Sequence, residues 1–225
     1  MSTILFIETS GPYCSLALRN EGALFVESEL LERAHNEKVL LMLDSLYAKA
    51  DISRSTPCLV GFSAGPGSFT GVRIGAAIAQ ALAFGSGGRV VPLDSSLVLA
   101  RTARDRFGGK DWLVFIKSRG DSFYCARYLF VDTTARIVVE PHLVSEEPDW
   151  VEQIDDSLRI VGAKPNWLDL SSKSVFHSEI YPEAEAALDM IKQRDDEGQS
   201  KPPEYALPVY LEGDSPWVKL ADRHS

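Results

Sequence analysis

The first 30 residues alternate between short apolar runs and turn-forming residues, which is the pattern of an antiparallel meander. Residues 4–7 form an apolar run, residues 8–12 (ETSGP) supply turn chemistry, and residues 14–18 alternate into a second run. Ala23–Leu30 alternates again with a period of two. Three strands are therefore predicted before the first helix.

Residues 35–50 have a helical composition, but their apolar residues do not keep to one side of the helix. Val39, Leu43, Leu46 and Ala50 form a stripe at helical spacing. The apolar residues that fall elsewhere on the helix are Leu40, Leu41, Met42 and Tyr47. A helix with apolar residues on more than one side should be covered on more than one side. Either it lies deep inside the domain, or its second face docks on another chain.

A second helix is predicted from about residue 70, after a buried strand and a glycine-rich loop. Gly71, Gly75, Ala79 and Ala83 recur every four residues along it. Small residues at this spacing let another helix approach closely, although each glycine inside a helix costs about 1 kcal/mol relative to alanine. The pattern indicates a close contact that offsets this cost.

The rest of the chain repeats the order of strands followed by a helix. A strand at residues 89–93 and a helix ending near residue 107 complete a first unit, and Gly108-Gly109 marks the boundary. In the second unit, strands are predicted at residues 112–117, 122–130, 135–139 and 158–161, followed by a helix at residues 181–194. The predicted fold class is α/β with mixed sheets, in units 1–107 and 108–225. In a Rossmann fold, by contrast, a glycine loop directly follows the first strand.

Composition and charge narrow the possible functions. The chain has 225 residues, of which 45% are hydrophobic and 24% charged, as in ordinary globular proteins. It carries 32 acidic and 23 basic side chains, and a net charge of -9 argues against a nucleic-acid clamp formed by this chain alone. Three widely spaced cysteines and the lack of a long apolar segment predict a cytoplasmic protein without a membrane span.

Two loops carry candidate anion-binding chemistry: Glu8, Thr9 and Ser10 in the first, and Gly65, Gly67 and Ser68 in the second. The second loop lies between a predicted strand and a helix N-terminus, where exposed amides can hold a phosphate or a carboxylate. It lacks the Gly-Lys-Ser/Thr ending of a P-loop. The alternatives are a solvated turn for the first loop, and a tight turn with close helix packing for the second.

The residue spacing favours neither metal catalysis nor nucleophilic catalysis. No two of the 4 histidines stand at the H-x-x-x-H or H-E-x-x-H spacing that places both on one helical face. A Gly-x-Ser-x-Gly nucleophile elbow is also absent from the sequence. The sequence therefore predicts no metal site and no catalytic residue.

Three segments carry a resemblance to a known family: residues 4–10 (ILFIETS), His35 at the start of a leucine-rich helix, and residues 65–75 (GPGSFTGVRIG). The glycine-rich segment is highly specific. With the tail motifs PVYL and WVK, the chain resembles the bacterial TsaB proteins, also called YeaZ, over most of its length. The resemblance implies the ASKHA fold of acetate and sugar kinases, Hsp70 and actin. Its two related subdomains would be residues 1–107 and 108–225, with the C-terminal segment free to pack back on the first.

The resemblance also implies a role in forming threonylcarbamoyladenosine beside the anticodon of tRNAs that read ANN codons. In that role the chain is a non-catalytic subunit required by its paralogue TsaD, which carries a metal-binding histidine pair, together with TsaE and TsaC. A heterodimer with TsaD, a homodimer when the chain is alone, and contact with tRNA only through the complex are implied. The implied partner-binding residues lie on the first two helices: His35, Val39, Met42, Leu46, Gly71, Arg73, Gly75 and Ala79.

Two other functions remain open beside this one. The first is a small-molecule kinase of the ASKHA type, which saturable ATP binding by the isolated chain would reveal. The second is a glycoprotease-like peptidase, which would require a metal site or a nucleophile. The isolated chain is expected to bind no cofactor, and ATP or ADP at the interface of the complex is the alternative.

Overall fold

The chain folds into two five-stranded mixed sheets flanked by helices, in a computed structural model that describes residues 3–31, 35–149, 158–168 and 175–211. The first sheet is formed by β1 (Thr3–Glu8), β2 (Tyr13–Asn20), β3 (Ala23–Leu30), β4 (Cys58–Gly65) and β5 (Arg89–Asp94). Its spatial order is β3-β2-β1-β4-β5. The β1–β2 and β2–β3 pairs are antiparallel, and the β1–β4 and β4–β5 pairs are parallel.

The second sheet repeats this topology. Its strands are β6 (Asp111–Lys117), β7 (Phe123–Val131), β8 (Thr134–Val144), β9 (Leu158–Gly162) and β10 (Val175–His177). Read from β8, the order is β8-β7-β6-β9-β10, with two antiparallel pairs followed by two parallel pairs. Strand β8 extends five residues beyond the predicted end at residue 139, and β10 is a short strand that the sequence pattern did not predict.

In the described part of the chain, four α-helices cover these sheets: α1 (His35–Lys49), α2 (Phe69–Ser86), α3 (Ser95–Phe107) and α4 (Ala184–Asp196). Helices α1 and α2 pack on the outer face of the first sheet. Helices α3 and α4 pack on its inner face, and α3 also contacts β6 and β7 of the second sheet. The first sheet is thus enclosed by helices on both sides.

This enclosure explains why β1 is an apolar run and does not alternate. All six of its residues are buried, because neighbouring side chains point into two different cores. Leu5 and Ile7 pack with α1 and α2, while Ile4 and Phe6 pack with the residues of α3 and α4. Complete burial of both faces holds the first turn, at the end of β1, in a fixed position.

Local capping interactions fix the ends of the helices that follow the strands. Helix α2 begins after Ser68, whose side-chain oxygen accepts a hydrogen bond from the Gly71 amide, and ends at Gly87 in the left-handed conformation with φ of 68°. Helix α3 is capped by Asp94, which accepts hydrogen bonds from the amides of Ser96 and Leu97. Each strand-to-helix connection is therefore short and well defined.

After α4 the chain runs back along the first subdomain. Lys201 pairs with Val90 at the edge of β5, and a 3-10 turn at Pro203–Tyr205 packs on α2. The Val209 amide then donates a 2.8 Å hydrogen bond to the Ala64 carbonyl oxygen of β4. The end of the described chain therefore lies beside the glycine-rich loop. In the described part of the chain, no helix is long and apolar enough to cross a membrane.

Candidate functional site

Glu8, the last residue of β1, is a fully buried carboxyl at the first predicted loop. Its Oε1 atom accepts hydrogen bonds from the amide and the hydroxyl of Ser10, both at 2.6 Å. The Ser63 hydroxyl of β4 donates to the other carboxyl oxygen, Oε2. The carboxyl thus ties the turn after β1 to the neighbouring strand.

Burial raises the pKa of Glu8 to about 7, because the charged carboxylate loses its hydration inside the protein. The hydrogen bonds from Ser10 and Ser63 lower this pKa and offset part of the burial effect. Near neutral pH the carboxyl is therefore shared between its neutral and charged forms. A negative charge directly beneath the loop disfavours binding of a phosphate there.

The two predicted loops lie against each other. The Ser68 amide donates a 2.7 Å hydrogen bond to the Ser10 carbonyl oxygen. Gly67 has φ of 156°, and a Cβ at this position would stand 2.4 Å from the same oxygen, so only glycine allows this approach. The Gly65 amide donates to the Ser95 hydroxyl at the start of α3, at 3.2 Å. Six predicted residues are thus brought together: Glu8, Thr9, Ser10, Gly65, Gly67 and Ser68.

The contact between the loops uses three backbone amides that could otherwise donate to an anion. The amide of Ser10 is bonded to Glu8, that of Ser68 to Ser10, and that of Gly71 to the Ser68 hydroxyl. An anion in this place would have to replace internal hydrogen bonds and lie close to a buried acid. The geometry favours tight packing over the phosphate-binding alternative.

The small-residue stripe of α2 packs on this same turn. The Thr9 hydroxyl donates a 2.8 Å hydrogen bond to the Gly71 carbonyl oxygen. A Cβ added to Gly71 would stand 1.9 Å from the Thr9 carbonyl oxygen, and one added to Gly75 would stand 2.6 Å from Thr9 Oγ1. Ala79 is fully buried in the core of the first subdomain. This corrects the prediction that Gly71, Gly75 and Ala79 contact a partner: the helix approaches its own sheet here.

The predicted contact residues of α1 need the same correction. Val39, Met42 and Leu46 are 1%, 7% and 0% exposed, because they form the core between α1 and the first sheet. Their side chains are occupied within the chain. The side chain of His35 lies outside the described residues, although α1 begins at that position.

Both helices instead expose apolar residues on the side away from the sheet. Leu40 and Leu41 of α1 are 52% and 64% exposed, and Phe84 of α2 is 81% exposed. Along α2 the exposed positions recur at helical spacing: Thr70, Arg73, Ala77, Ala81 and Phe84. We call this surface of α1 and α2 the outer helical face. Of the predicted contact residues with described side chains, Arg73 is the one that lies on it.

The sequence contained a signal for this face. Four apolar residues were predicted to lie outside the stripe of α1; of these, Leu40 and Leu41 are exposed, whereas Met42 and Tyr47 are buried in the core of the first subdomain. Small residues occur on both sides of α2, since Gly75 and Ala79 are buried whereas Ala77 and Ala81 are exposed, so residue size alone did not distinguish the two sides. The direction of each side chain was set by which side met the sheet.

A cleft of about 780 Å³ opens between the two subdomains. Ser10, Gly67 and Thr70 line it on one side, and Lys117 and Tyr181 line it on the other. Its volume is within the range of small-molecule sites. At the first wall the amides of Ser10, Ser68 and Gly71 are bonded internally, so a phosphate could bind these three donors only by replacing existing hydrogen bonds. Among the described residues no group of three or more His, Cys, Asp and Glu side chains is placed to hold a metal ion.

Comparison with known proteins decides the family. Residues 26–147 match the family model described as TsaD, tRNA N6-adenosine threonylcarbamoyltransferase. The tRNA threonylcarbamoyladenosine biosynthesis protein TsaB of Escherichia coli is 31% identical, over 96% of this chain and 97% of that protein. The chain belongs to the TsaB family. The TsaB protein of Haemophilus influenzae is 28% identical over 98% of both chains.

A solved structure supports the same family and the predicted fold. YeaZ from Pseudomonas aeruginosa superposes with a TM-score of 0.82 at 26% identity, covering 94% of this chain and all of that one. The predicted resemblance to TsaB and the two-subdomain ASKHA fold are both confirmed. Membership of the TsaB family places the chain in the biosynthesis of threonylcarbamoyladenosine on tRNA.

Proposed function

We propose that this chain is the non-catalytic subunit that binds TsaD in the complex that forms tRNA threonylcarbamoyladenosine in the cytoplasm, with TsaE and TsaC as further components. The outer helical face is the observation that carries this proposal. It is the surface on which both first helices present apolar side chains to solvent. A surface of this kind is typical of a protein–protein contact.

The electrostatics of the first subdomain support a protein partner for this face. Residues 1–107 carry ten basic and ten acidic side chains, which leaves 13 of the 23 basic and 22 of the 32 acidic side chains in residues 108–225. The net charge of -9 therefore belongs to the second subdomain. The exposed apolar side chains of this face lose little hydration when a partner covers them.

The non-catalytic part of the proposal rests on the two predicted loops. They bond to each other through Ser10 and Ser68, above the buried acid Glu8, in the place where a kinase of this fold would hold phosphates. A loop pair in which the amides of Ser10, Ser68 and Gly71 are bonded internally suits a structural role. The acidic second subdomain supports contact with tRNA through the complex and not through this chain alone.

Reconstitution with purified proteins tests this proposal. TsaD, TsaE and TsaC are incubated with ATP, threonine, bicarbonate and tRNA, with and without this chain, and the modified nucleoside is measured. We expect modification to be lost when this chain is omitted, and TsaD to elute with it in gel filtration. Full modification without the chain, together with no TsaD contact, would show that the proposed role is wrong.

Homodimerisation of the isolated chain through the same face is part of the proposal. Light scattering should give a dimer for the wild type and a monomer for Leu41→Asp, because a buried carboxylate has no partner in an apolar contact. Addition of TsaD should convert the homodimer into a heterodimer. A wild-type monomer would remove the homodimer from the proposal and leave the TsaD contact untouched.

The cleft between the subdomains favours one second candidate, a small-molecule kinase. Its volume suits a nucleotide-sized ligand, even though the donors at its first wall are engaged. Calorimetric titration of the isolated chain with ATP and Mg²⁺ tests this candidate. Saturable binding would favour the kinase. If no heat of binding is measured, the proposal that ATP or ADP binds only at the interface of the complex stands.

A further inference from the structure

Arg73 occupies an unusual position on the outer helical face. It is the single charged residue in the sequence of α2, which is otherwise apolar or small from Phe69 to Ser86 apart from a few neutral polar residues. The side chain is exposed. Among the described residues, no carboxylate forms an ion pair with it. An arginine on such a face has no local acid to balance its charge.

The guanidinium group is nevertheless held in one place. Its central carbon lies 3.4 Å from the centroid of the Phe69 ring and 5.4 Å from that of Tyr210. Its Nε atom donates a 2.7 Å hydrogen bond to the Tyr210 hydroxyl. Tyr210 reaches this point because the preceding residue, Val209, is bonded to Ala64 of β4. The returning C-terminal segment therefore positions a side chain of α2.

This arrangement leaves the two terminal nitrogens of Arg73 without an acceptor among the described residues. They form the planar pair of donors that matches the two oxygens of a carboxylate. The ring contacts and the Nε hydrogen bond restrict the rotation of the side chain before any partner arrives. Less side-chain freedom remains to be lost when an acceptor binds.

We propose that Arg73 receives a carboxylate side chain of the partner subunit, and that Phe69 and Tyr210 are positioning residues for this contact. The inference rests on the proposed function, because it requires that a protein covers the outer helical face. Covering that face would bury an unpaired cation unless the partner supplied the opposite charge. A carboxylate at the end of the Arg73 fork meets this requirement.

A phosphate of RNA is a weaker match for the same arginine. Recognition of a phosphate backbone uses several cations together, and α2 offers one. The neighbouring exposed positions of the helix are Ala77, Ala81 and Phe84, which suit an apolar protein surface. A second copy of this chain is a further occupant that the experiment distinguishes.

Affinity measurements with purified TsaD test the assignment. Arg73→Gln should weaken binding at least ten-fold, and Arg73→Lys should weaken it less, because an ammonium group keeps the charge and loses the planar fork. Arg136→Gln, an exposed arginine on strand β8 of the second subdomain, is the matched control and should bind like the wild type. Higher salt should weaken binding by the wild type more than binding by Arg73→Gln.

The role of Tyr210 is tested by a double-mutant cycle. Tyr210→Phe removes the acceptor of the Nε hydrogen bond and should weaken TsaD binding several-fold without changing the thermal midpoint. In the Arg73→Gln background the same change should have no further effect. Equal effects of Tyr210→Phe in both backgrounds would show that Tyr210 acts independently of Arg73, and would overturn its positioning role.

The partner's carboxylate is found by replacing the surface acids of TsaD one at a time with their amides. One acid should show coupling with Arg73→Gln, so that the double variant binds no more weakly than either single variant. If Arg73→Gln binds TsaD like the wild type, the inference fails and the proposed function stands. If wild-type protein does not bind TsaD, the proposed function itself fails. Loss of tRNA retention or of homodimerisation, with TsaD affinity unchanged, would overturn the inference in favour of RNA or a second copy.

Discussion

The two subdomains have the same sheet topology and different outer layers. The first sheet is covered on the outside by α1 and α2, whose outer helical face is exposed. The outer face of the second sheet carries a cluster in which Phe115, Phe123 and Trp167 meet edge to face, with ring centroids 5.9 to 6.4 Å apart. Between β8 and β9, and between β9 and β10, the described residues contain no α-helix corresponding to α1 or α2. Among those residues, the second subdomain therefore shows no counterpart of the proposed partner surface.

The first strands of the two sheets end in residues of opposite charge and different burial. Strand β1 ends in the buried acid Glu8, which is bonded to two serines, whereas β6 ends in the exposed base Lys117. The first end is built into the packing of α2, and the second faces the cleft. The hydrogen bonds of Glu8 help to hold the turn under α2 rigid, which supports a rigid binding face. The charge of Lys117 stays exposed to solvent.

The largest expected effect comes from the buried side of α2. Gly71→Leu should unfold the protein or cost at least about 3 kcal/mol in the free energy of unfolding, because its Cβ would overlap the Thr9 carbonyl oxygen. Urea denaturation measures this loss. Ala77→Leu on the exposed side of the same helix is the control and should stay within about 0.5 kcal/mol of the wild type. Equal stability of both variants would contradict the packing of α2 on the β1 turn.

The second effect concerns the buried acid that distinguishes the two strand ends. The pKa of Glu8 is about 7 in the folded chain and 4.5 for the free group, so the folded state holds the proton more tightly. Its contribution to stability is complete below about pH 4.5 and is lost as the pH rises through about 7. Relative to Glu8→Gln, the wild type should lose about 2.5 kcal/mol in the free energy of unfolding between pH 5 and pH 8.

Urea denaturation across this pH range measures the difference between the two proteins. The raised pKa of Asp94, caused by burial, contributes with the same sign in both proteins and cancels. Lys117→Gln, at the equivalent end of β6, is the matched control and should follow the wild-type profile. Parallel profiles of the wild type and Glu8→Gln would show that the carboxyl does not titrate as its burial requires.

The third effect compares exposed apolar residues of the two subdomains. Leu41→Asp on the outer helical face should weaken TsaD binding at least ten-fold, or by about 1.4 kcal/mol, because the complex would bury an unpaired carboxylate. Val131→Asp in the second subdomain is the control, since Leu41 and Val131 are similarly exposed, at 64% and 60%. Both variants should fold like the wild type. Equal loss of affinity for both would place the partner surface elsewhere.

The smallest effect tests the exposed end of α2. Gly85→Ala should raise the free energy of unfolding by about 0.5 to 1 kcal/mol, because its new methyl group meets no atom within 4 Å and alanine is the better helix former. Gly75→Ala, in the same helix, should lower it, because its Cβ would stand 2.6 Å from Thr9 Oγ1. Thermal or urea denaturation separates the two signs. A stabilising Gly75→Ala would mean that Thr9 moves away at little cost.

The strands and helices of the first subdomain could be predicted well from the sequence. Strand β3 and helix α1 coincide with the predicted segments, because alternation and helical spacing record which residues face the core. The three-residue strand β10 could not be predicted, since it is too short to show a period and depends on pairing with β9. The helix predicted at residues 181–194 begins at Ala184, after an extended Glu183.

The sequence identified candidate residues for the site, but it did not predict the contacts that those residues make. The sequence singled out six residues of two loops as a candidate anion site, but it did not show that the loops meet and that Ser10 and Ser68 bond to each other. The stripe of Gly71, Gly75 and Ala79 was correctly interpreted as a close contact, while its occupant is Thr9 and the first sheet. A glycine in a helix indicates that another group packs closely against the backbone, but it does not identify that group.

By itself, the sequence determined the mixed α/β character and the family, because these depend on local periodicity and on residue identity. Tertiary structure alone decided which side of α2 is buried and that Glu8 is enclosed without a counter-ion among the described residues. It also decided that Tyr210 returns from the far end of the chain to hold Arg73. These features join residues separated by as many as 137 positions, and no local pattern encodes a contact over that distance.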